Sequence, residues 1–325
     1  MNRKLLVILA LVAIVVIVAY PSGGAKFDWS LFNKTIRDMS WMWLLASIAA
    51  TFATYFVRAL RWQVLLEPLK RIHLEPSLTA TLVGFSAIYI LGRAGEPVGP
   101  LWLTRKEQVP LSASGATWLV QRFLDLTMLG IIFATTLIFL ELPAGEGSQQ
   151  LGFMKRFAVV LMIVLVIGIA SMIVFRSNID WIVSFIPVKS VARFLHSVAQ
   201  GLSFLHEGRS VVMTFVHSAV LWIAIALQFW FMILALRFDF TLTASTLVMV
   251  AAAIGSVISI PGVGGGFQVA MVFCLHTFFG VSKESAVAAS LVAYALSYLP
   301  TVGIAAIYMM FTGISLKELR GLETT

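Results

Sequence analysis

Leu91-Gly92-Arg93-Ala94-Gly95-Glu96-Pro97-Val98-Gly99-Pro100 interrupts a hydrophobic stretch in the first half of the chain. Pro261-Gly262-Val263-Gly264-Gly265-Gly266-Phe267-Gln268 interrupts another in the second half. Glycine and proline both disfavour a continuous helix. In a membrane protein, a broken segment at a corresponding place in each half points to a transport site. The first segment also carries an Arg and a Glu, which are expensive at membrane depth.

The surroundings of these breaks set the fold class. The chain has 325 residues, is 60% hydrophobic and 12% charged, and has a mean hydropathy of +0.96. A soluble domain needs far more surface charge. Apolar stretches of about 20 residues, the length that spans a bilayer, recur along the whole sequence. The expectation is an all-α polytopic membrane protein forming one membrane domain over 1–325, with no segment long and polar enough for a separate soluble domain. The net charge of +8 comes from basic residues flanking apolar runs. That pattern points to anionic lipid headgroups and topology, not to nucleic acid. Cys274 sits in an apolar run, and the five histidines do not fall at ligand spacing. With no nucleophile–base arrangement either, no catalytic residue, metal or cofactor is assigned.

Six full crossings are expected at about 4–20, 41–66, 112–140, 157–175, 211–236 and 286–312. The first is read as an uncleaved span, since its apolar run is long for a signal-peptide core. The two broken stretches, about 78–103 and 243–280, are expected to be re-entrant hairpins. The arm 78–91 has 14 residues, about 21 Å of helix against a hydrocarbon core of about 30 Å. With both hairpins re-entrant and the N-terminus cytoplasmic, twelve basic residues fall in cytoplasmic segments and seven outside. That is the bias of the positive-inside rule, and it places both termini in the cytoplasm. The hairpins then enter from opposite sides, as in an inverted repeat. Segment 189–209 carries Val191, Phe194, Leu195, Val198, Leu202 and Leu205 at helical spacing. It reads either as an amphipathic helix on the cytoplasmic surface or as a connector packed on the bundle.

Polar groups at depth supply the candidate site. Arg93 and Glu96 stand i,i+3 at the first broken tip, beside Gly95. Prolines that start a helix next to an Arg favour an anion such as phosphate. Arg122 and Asp125, also i,i+3, lie about ten residues into their span, close to the midplane at 1.5 Å per residue. Arg58 and Arg61 are expected to snorkel to the cytoplasmic interface, or else to line a headgroup entrance there. Gly264 and Gly265 offer backbone groups for a nest, and Gln268 adds a side-chain amide.

These residues carry a resemblance. Gly92-Arg93-Ala94-Gly95-Glu96-Pro97, Arg122-Phe123-Leu124-Asp125-Leu126 and Pro261-Gly262-Val263-Gly264-Gly265, in that order and followed by 286–303, resemble the transmembrane region of bacterial lysylphosphatidylglycerol synthases. The resemblance runs from about 40 to 320. It implies a helical bundle with two re-entrant elements, and transfer of aminoacylated phosphatidylglycerol, glycolipid or polyprenyl-phosphate lipid between leaflets. Lysyl transfer belongs to a soluble domain and is not implied. The chain departs from the family at Gln121 and Gln268, where Glu is usual, and at Gly99, where Arg is usual. The expected function is a flippase-like lipid transporter of a bacterial or archaeal plasma membrane. Its partners would be an anionic phospholipid or polyprenyl or glycolipid substrate, the surrounding membrane lipids, and a homo-oligomer or partner synthase. Alternatives are a membrane-embedded transferase subunit and a small-solute or ion transporter.

Overall fold

A computed structural model describes residues 27–140, 148–202, 205, 207–260 and 264–312. The expected first span, 4–20, and the turn residues 261–263 lie outside the described residues. The protein is an all-α polytopic membrane protein. Its helices are α1 (Trp29–Arg37), α2 (Trp41–Leu66), α3 (Leu74–Leu91), α4 (Val98–Glu107), α5 (Leu111–Phe139) and α6 (Ser148–Ser177). They continue as α7 (Ile179–Ser184), α8 (Lys189–Gly201), α9 (Gly208–Ala235), α10 (Leu242–Gly255), α11 (Gly266–Phe279) and α12 (Lys283–Thr312). A 3₁₀ turn, Gly92–Gly95, joins α3 to α4. A two-residue ribbon, β1 (Ser259–Ile260) with β2 (Gly264–Gly265), closes the tip between α10 and α11.

Among the described residues six helical stretches are long and apolar enough to cross a membrane. Five match expected crossings within a few residues. The sixth is Leu74–Gly95, which contains the first arm of the first hairpin and is longer than the sequence suggested. Glu75 and Pro76 precede the expected start at about 78, but a proline in the first helical turn lacks only an amide that has no partner there anyway. The helix therefore begins at Leu74 and reaches 18 residues, about 27 Å at 1.5 Å per residue.

Cross-helix hydrogen bonds fix the directions. Ser47 Oγ donates to the Gln228 carbonyl and the Ser40 amide to the Ala235 carbonyl, so α2 and α9 are antiparallel. Trp62 Nε1 donates to Thr117 Oγ1 while residues 58 and 61 meet Asp125, so α5 is antiparallel to α2. Tyr55 meets Thr301, while Gln228, whose carbonyl accepts from Ser47, donates to Ser297, so α12 is parallel to α2. One end of the bundle thus holds segments 66–74 and 107–111, linked by Lys70 and Glu107. The other end holds 37–41, 235–242 and 279–283, where Phe240 packs on Phe279. In apolar surroundings water gives helices little reason to associate. Bonds such as those from Ser47, Ser77 and Ser114 to backbone carbonyls are worth about 0.6 kcal/mol each.

Two helical hairpins point at each other from these opposite ends. In the first, α3 and α4 are antiparallel, with Gly99 against Gly84. In the second, Gly255 and Gly266 let α10 and α11 touch backbone to backbone. The second is seated in the larger apolar core through Leu247, Val248, Met271 and Leu275, and the first in a smaller one with Trp62, Ala80, Val83 and Leu103. Helix α8 is held to the bundle at its C-terminal end, where Leu202 is buried with Leu65, Val120 and Leu124. Val191 and Phe194 nearer its start are exposed.

Candidate functional site

Three helices and the turn after α3 build the site. On α2, Arg58 and Arg61 are i,i+3 and face α5. On α5, Trp118, Gln121, Arg122 and Asp125 share one stripe. On α3, Thr81, Phe85 and Ile88 recur at i, i+4 and i+7 and close the opposite wall. Glu96 and Gly99 come from the end of the turn and the first residues of α4. Together these residues, with Arg58 but without Arg61, line an open cleft whose empty space, solvent at its mouth included, is about 390 Å³.

Asp125 is the hub. Arg61 Nη1 donates to Asp125 Oδ1 at 2.7 Å, and Arg58 Nη1 donates to Oδ2 at 3.1 Å. Arg122 Nη1 stands 4.0 Å from Oδ2. The i,i+3 neighbour is therefore not the closest partner, because the two α2 guanidiniums reach the carboxylate first. Nor does Arg61 snorkel. Its side chain is 0% exposed, and Nη1 also donates to Ser218 Oγ on α9 at 3.2 Å. A carboxylate one helix away offers what the distant interface would have offered. Arg58 is also mostly buried, with its guanidinium 4.7 Å from the Phe85 ring centroid. Arg122 lies 5.5 Å from the same ring and 5.1 Å from that of Trp118. Cation–π contacts in a desolvated site are worth up to about 2 kcal/mol.

Arg93 and Glu96 form the expected i,i+3 pair at 2.5 Å. Arg93 Nη2 reaches across to the Ser256 carbonyl at the end of α10, at 3.1 Å. The two hairpin tips therefore meet, and Arg93 joins them. Gly95 packs against the Ala87 carbonyl, where a Cβ would overlap the backbone, and Gly92 takes φ +65°. Gly264 and Gly265 sit in the ribbon of the second tip, and Gln268 is buried in the first turn of α11. None of these three lines the cavity. Of the sequence candidates, Arg58, Glu96, Arg122 and Asp125 share its wall, Arg61 braces it from behind, and Arg93 and Gly95 shape its rim.

Sequence reasoning missed Phe85, Trp62 and Trp118 as lining residues, and Ser218 and Ser256 as partners. Trp118 was legible, standing i,i+4 from Arg122 on one helix face. The others depend on packing between helices. Gly99 has a local reason: a Cβ there would meet the Ala80 carbonyl at 3.2 Å and Trp62 at 3.5 Å, so Trp62 fills the space a longer side chain would need.

The model of one family, the lysylphosphatidylglycerol synthase transmembrane region, matches residues 6–305. No curated protein matches the chain. With 300 of 325 residues covered, the chain belongs to the lysylphosphatidylglycerol synthase transmembrane-region family, as a multi-pass membrane protein related to lipid handling.

Proposed function

We propose that the protein is a flippase-like lipid transporter that moves a phosphate-bearing lipid between the leaflets of a bacterial or archaeal plasma membrane. The observation that carries this reading is the charge of the cavity. Arg58 and Arg122 on its wall and Arg61 behind it stand against Asp125, three cations to one anion, while the half-exposed Arg93 at the rim pairs with Glu96. A buried surplus of positive charge is costly unless an anion enters to meet it. A lipid phosphate supplies that anion while its acyl chains remain in hydrocarbon.

On this reading the hairpins are re-entrant. Each arm of the second has 14 residues, about 21 Å, so its tip ends inside a core of about 30 Å. The end holding 66–74 and 107–111 faces the cytoplasm. The headgroup enters between α2, α3 and α5, and Arg122 and Arg58 receive the phosphate. The Arg93 link to Ser256 parts and reforms as the two tips separate around the passing headgroup.

Reconstituted liposomes test this. Phosphatidylglycerol bearing an acyl-chain fluorophore is placed in both leaflets, and dithionite bleaches only the outer one. The expected result is bleaching well past half of the signal, with an Arg58→Gln/Arg122→Gln variant slowed about tenfold, the equivalent of about 1.4 kcal/mol. Bleaching that stops at half, as in protein-free liposomes, would sink the proposal.

A further inference from the structure

The proposed transport leaves the headgroup's chemistry open, and the pairing inside the cavity narrows it. A headgroup that carries an ammonium, whether an ethanolamine or an aminoacyl group, needs an acceptor with charge to spare. The cavity has two carboxylates, and both are already engaged. Asp125 accepts from Arg58 and Arg61, one on each oxygen. Glu96 accepts from Arg93. The remaining acceptor-bearing side chains on the wall, Thr81 and Gln121, are neutral.

The cations are differently placed. Arg61 is buried behind Asp125 and holds it. Arg58 shares Asp125 and rests on Phe85. Arg122 lines the cavity, its side chain 31% exposed and 4.0 Å from Asp125, and its buried Nε has no hydrogen-bond partner among the described residues. Phe85 and Trp118 hold the guanidinium by its π-face, which leaves its N–H edge to meet a ligand. A planar guanidinium fixed in this way suits the paired oxygens of a phosphate.

We infer that the cavity selects a headgroup that carries an anion and no cation, with Arg122 meeting the anion. Gln121 is then the residue that sets this preference by staying neutral. The inference rests on the transport reading for its lipid, but not for its charge preference. An ammonium in this cavity adds to two uncompensated positive charges at low dielectric, whereas the single negative charge of a phosphodiester offsets one of them.

Binding separates the two readings. Detergent-solubilised full chain is titrated with short-chain phosphatidylglycerol, phosphatidylethanolamine and lysylphosphatidylglycerol, and with inorganic phosphate, by isothermal calorimetry. Phosphatidylglycerol is expected to bind about tenfold or more tightly than either amine-bearing lipid. Arg122→Gln should remove that preference, and Gln121→Glu, which adds a carboxylate to the wall, should shrink or reverse it. Inorganic phosphate that competes with phosphatidylglycerol supports the anion site, and its failure to compete identifies the lipid as the source of the anion. Equal or tighter binding of lysylphosphatidylglycerol or phosphatidylethanolamine by the unaltered chain overturns the inference. So does a preference that Arg122→Gln leaves intact, with the variant's melting temperature confirming that it folds. Charge-selective binding without transbilayer movement contradicts the transport reading and leaves the inference standing.

Discussion

Asp125→Ala is expected to destabilise the protein by about 3–5 kcal/mol, the loss seen when one partner of a buried ion pair is removed. The mechanism is specific. Arg61 is fully buried and, among the described residues, its Nη1 donates to Asp125 and Ser218 while its Nε and Nη2 have no partner. Without the carboxylate, three guanidiniums from α2 and α5 are left together with no anion between them. Replacing both partners, as Arg61→Met with Asp125→Leu, should recover most of the loss. The uncompensated charge, rather than the missing contact, is what destabilises. Arg58 and Arg122 border the cavity and tolerate the change better than Arg61. Thermal unfolding in detergent, followed by tryptophan fluorescence, measures all three proteins. An Asp125→Ala protein as stable as the parent would show that the triad is not what fastens α2 to α5.

Gly95→Ala should be nearly as damaging, and for a steric reason. A Cβ at this position falls within the Ala87 carbonyl and presses on the Ile88 amide. The obstacle is backbone, which cannot rotate away as a side chain would. Overpacking typically costs about 1–3 kcal/mol, and here relief requires α4 to lift from α3. That motion carries Glu96 out of the cavity wall and draws Arg93 away from Ser256. The variant should therefore unfold at lower temperature and lose lipid binding together. Gly115→Ala is the control, because nothing lies within 4 Å of its Cβ. It should be neutral or stabilise by up to about 1 kcal/mol, the helix preference for Ala over Gly. Equal behaviour of the two variants would mean that the hairpin contact at Gly95 is not tight in the membrane.

Much of this fold is legible in the sequence because hydropathy is a one-dimensional signal. Span 41–66 was bounded to the residue, and four others to within a few. The two hairpins announce themselves through Gly92, Gly95, Gly264 and Gly265, each of which sits at a tip where the backbone turns or touches its neighbour. What the sequence hides is partnership between helices. Arg122 and Asp125 share a helix face, so local spacing pairs them. Only the packing of α2 on α5 reveals that Arg61 and Arg58 come closer. The same ignorance made Arg61 read as an interfacial arginine, when a buried carboxylate and Ser218 were within reach. The second glycine-rich tip illustrates the reverse. Its backbone suggests a ligand nest; Gly264 and Gly265 pair with β1, and among the described residues the charged cavity is lined by the first hairpin, α2 and α5.

The central claim, that the cavity beside the first hairpin receives an anionic lipid headgroup, is tested most directly by photocrosslinking in native membranes. A benzoyl-phenylalanine replacing Ile88, on the cavity wall, is compared with one replacing Ile138, an exposed position on α5. Lipids captured on irradiation are identified by mass spectrometry. Position 88 should capture lipid enriched in anionic, phosphate-bearing headgroups, while position 138 returns the composition of the bulk membrane. No lipid at position 88, or the same mixture at both positions, would contradict the account.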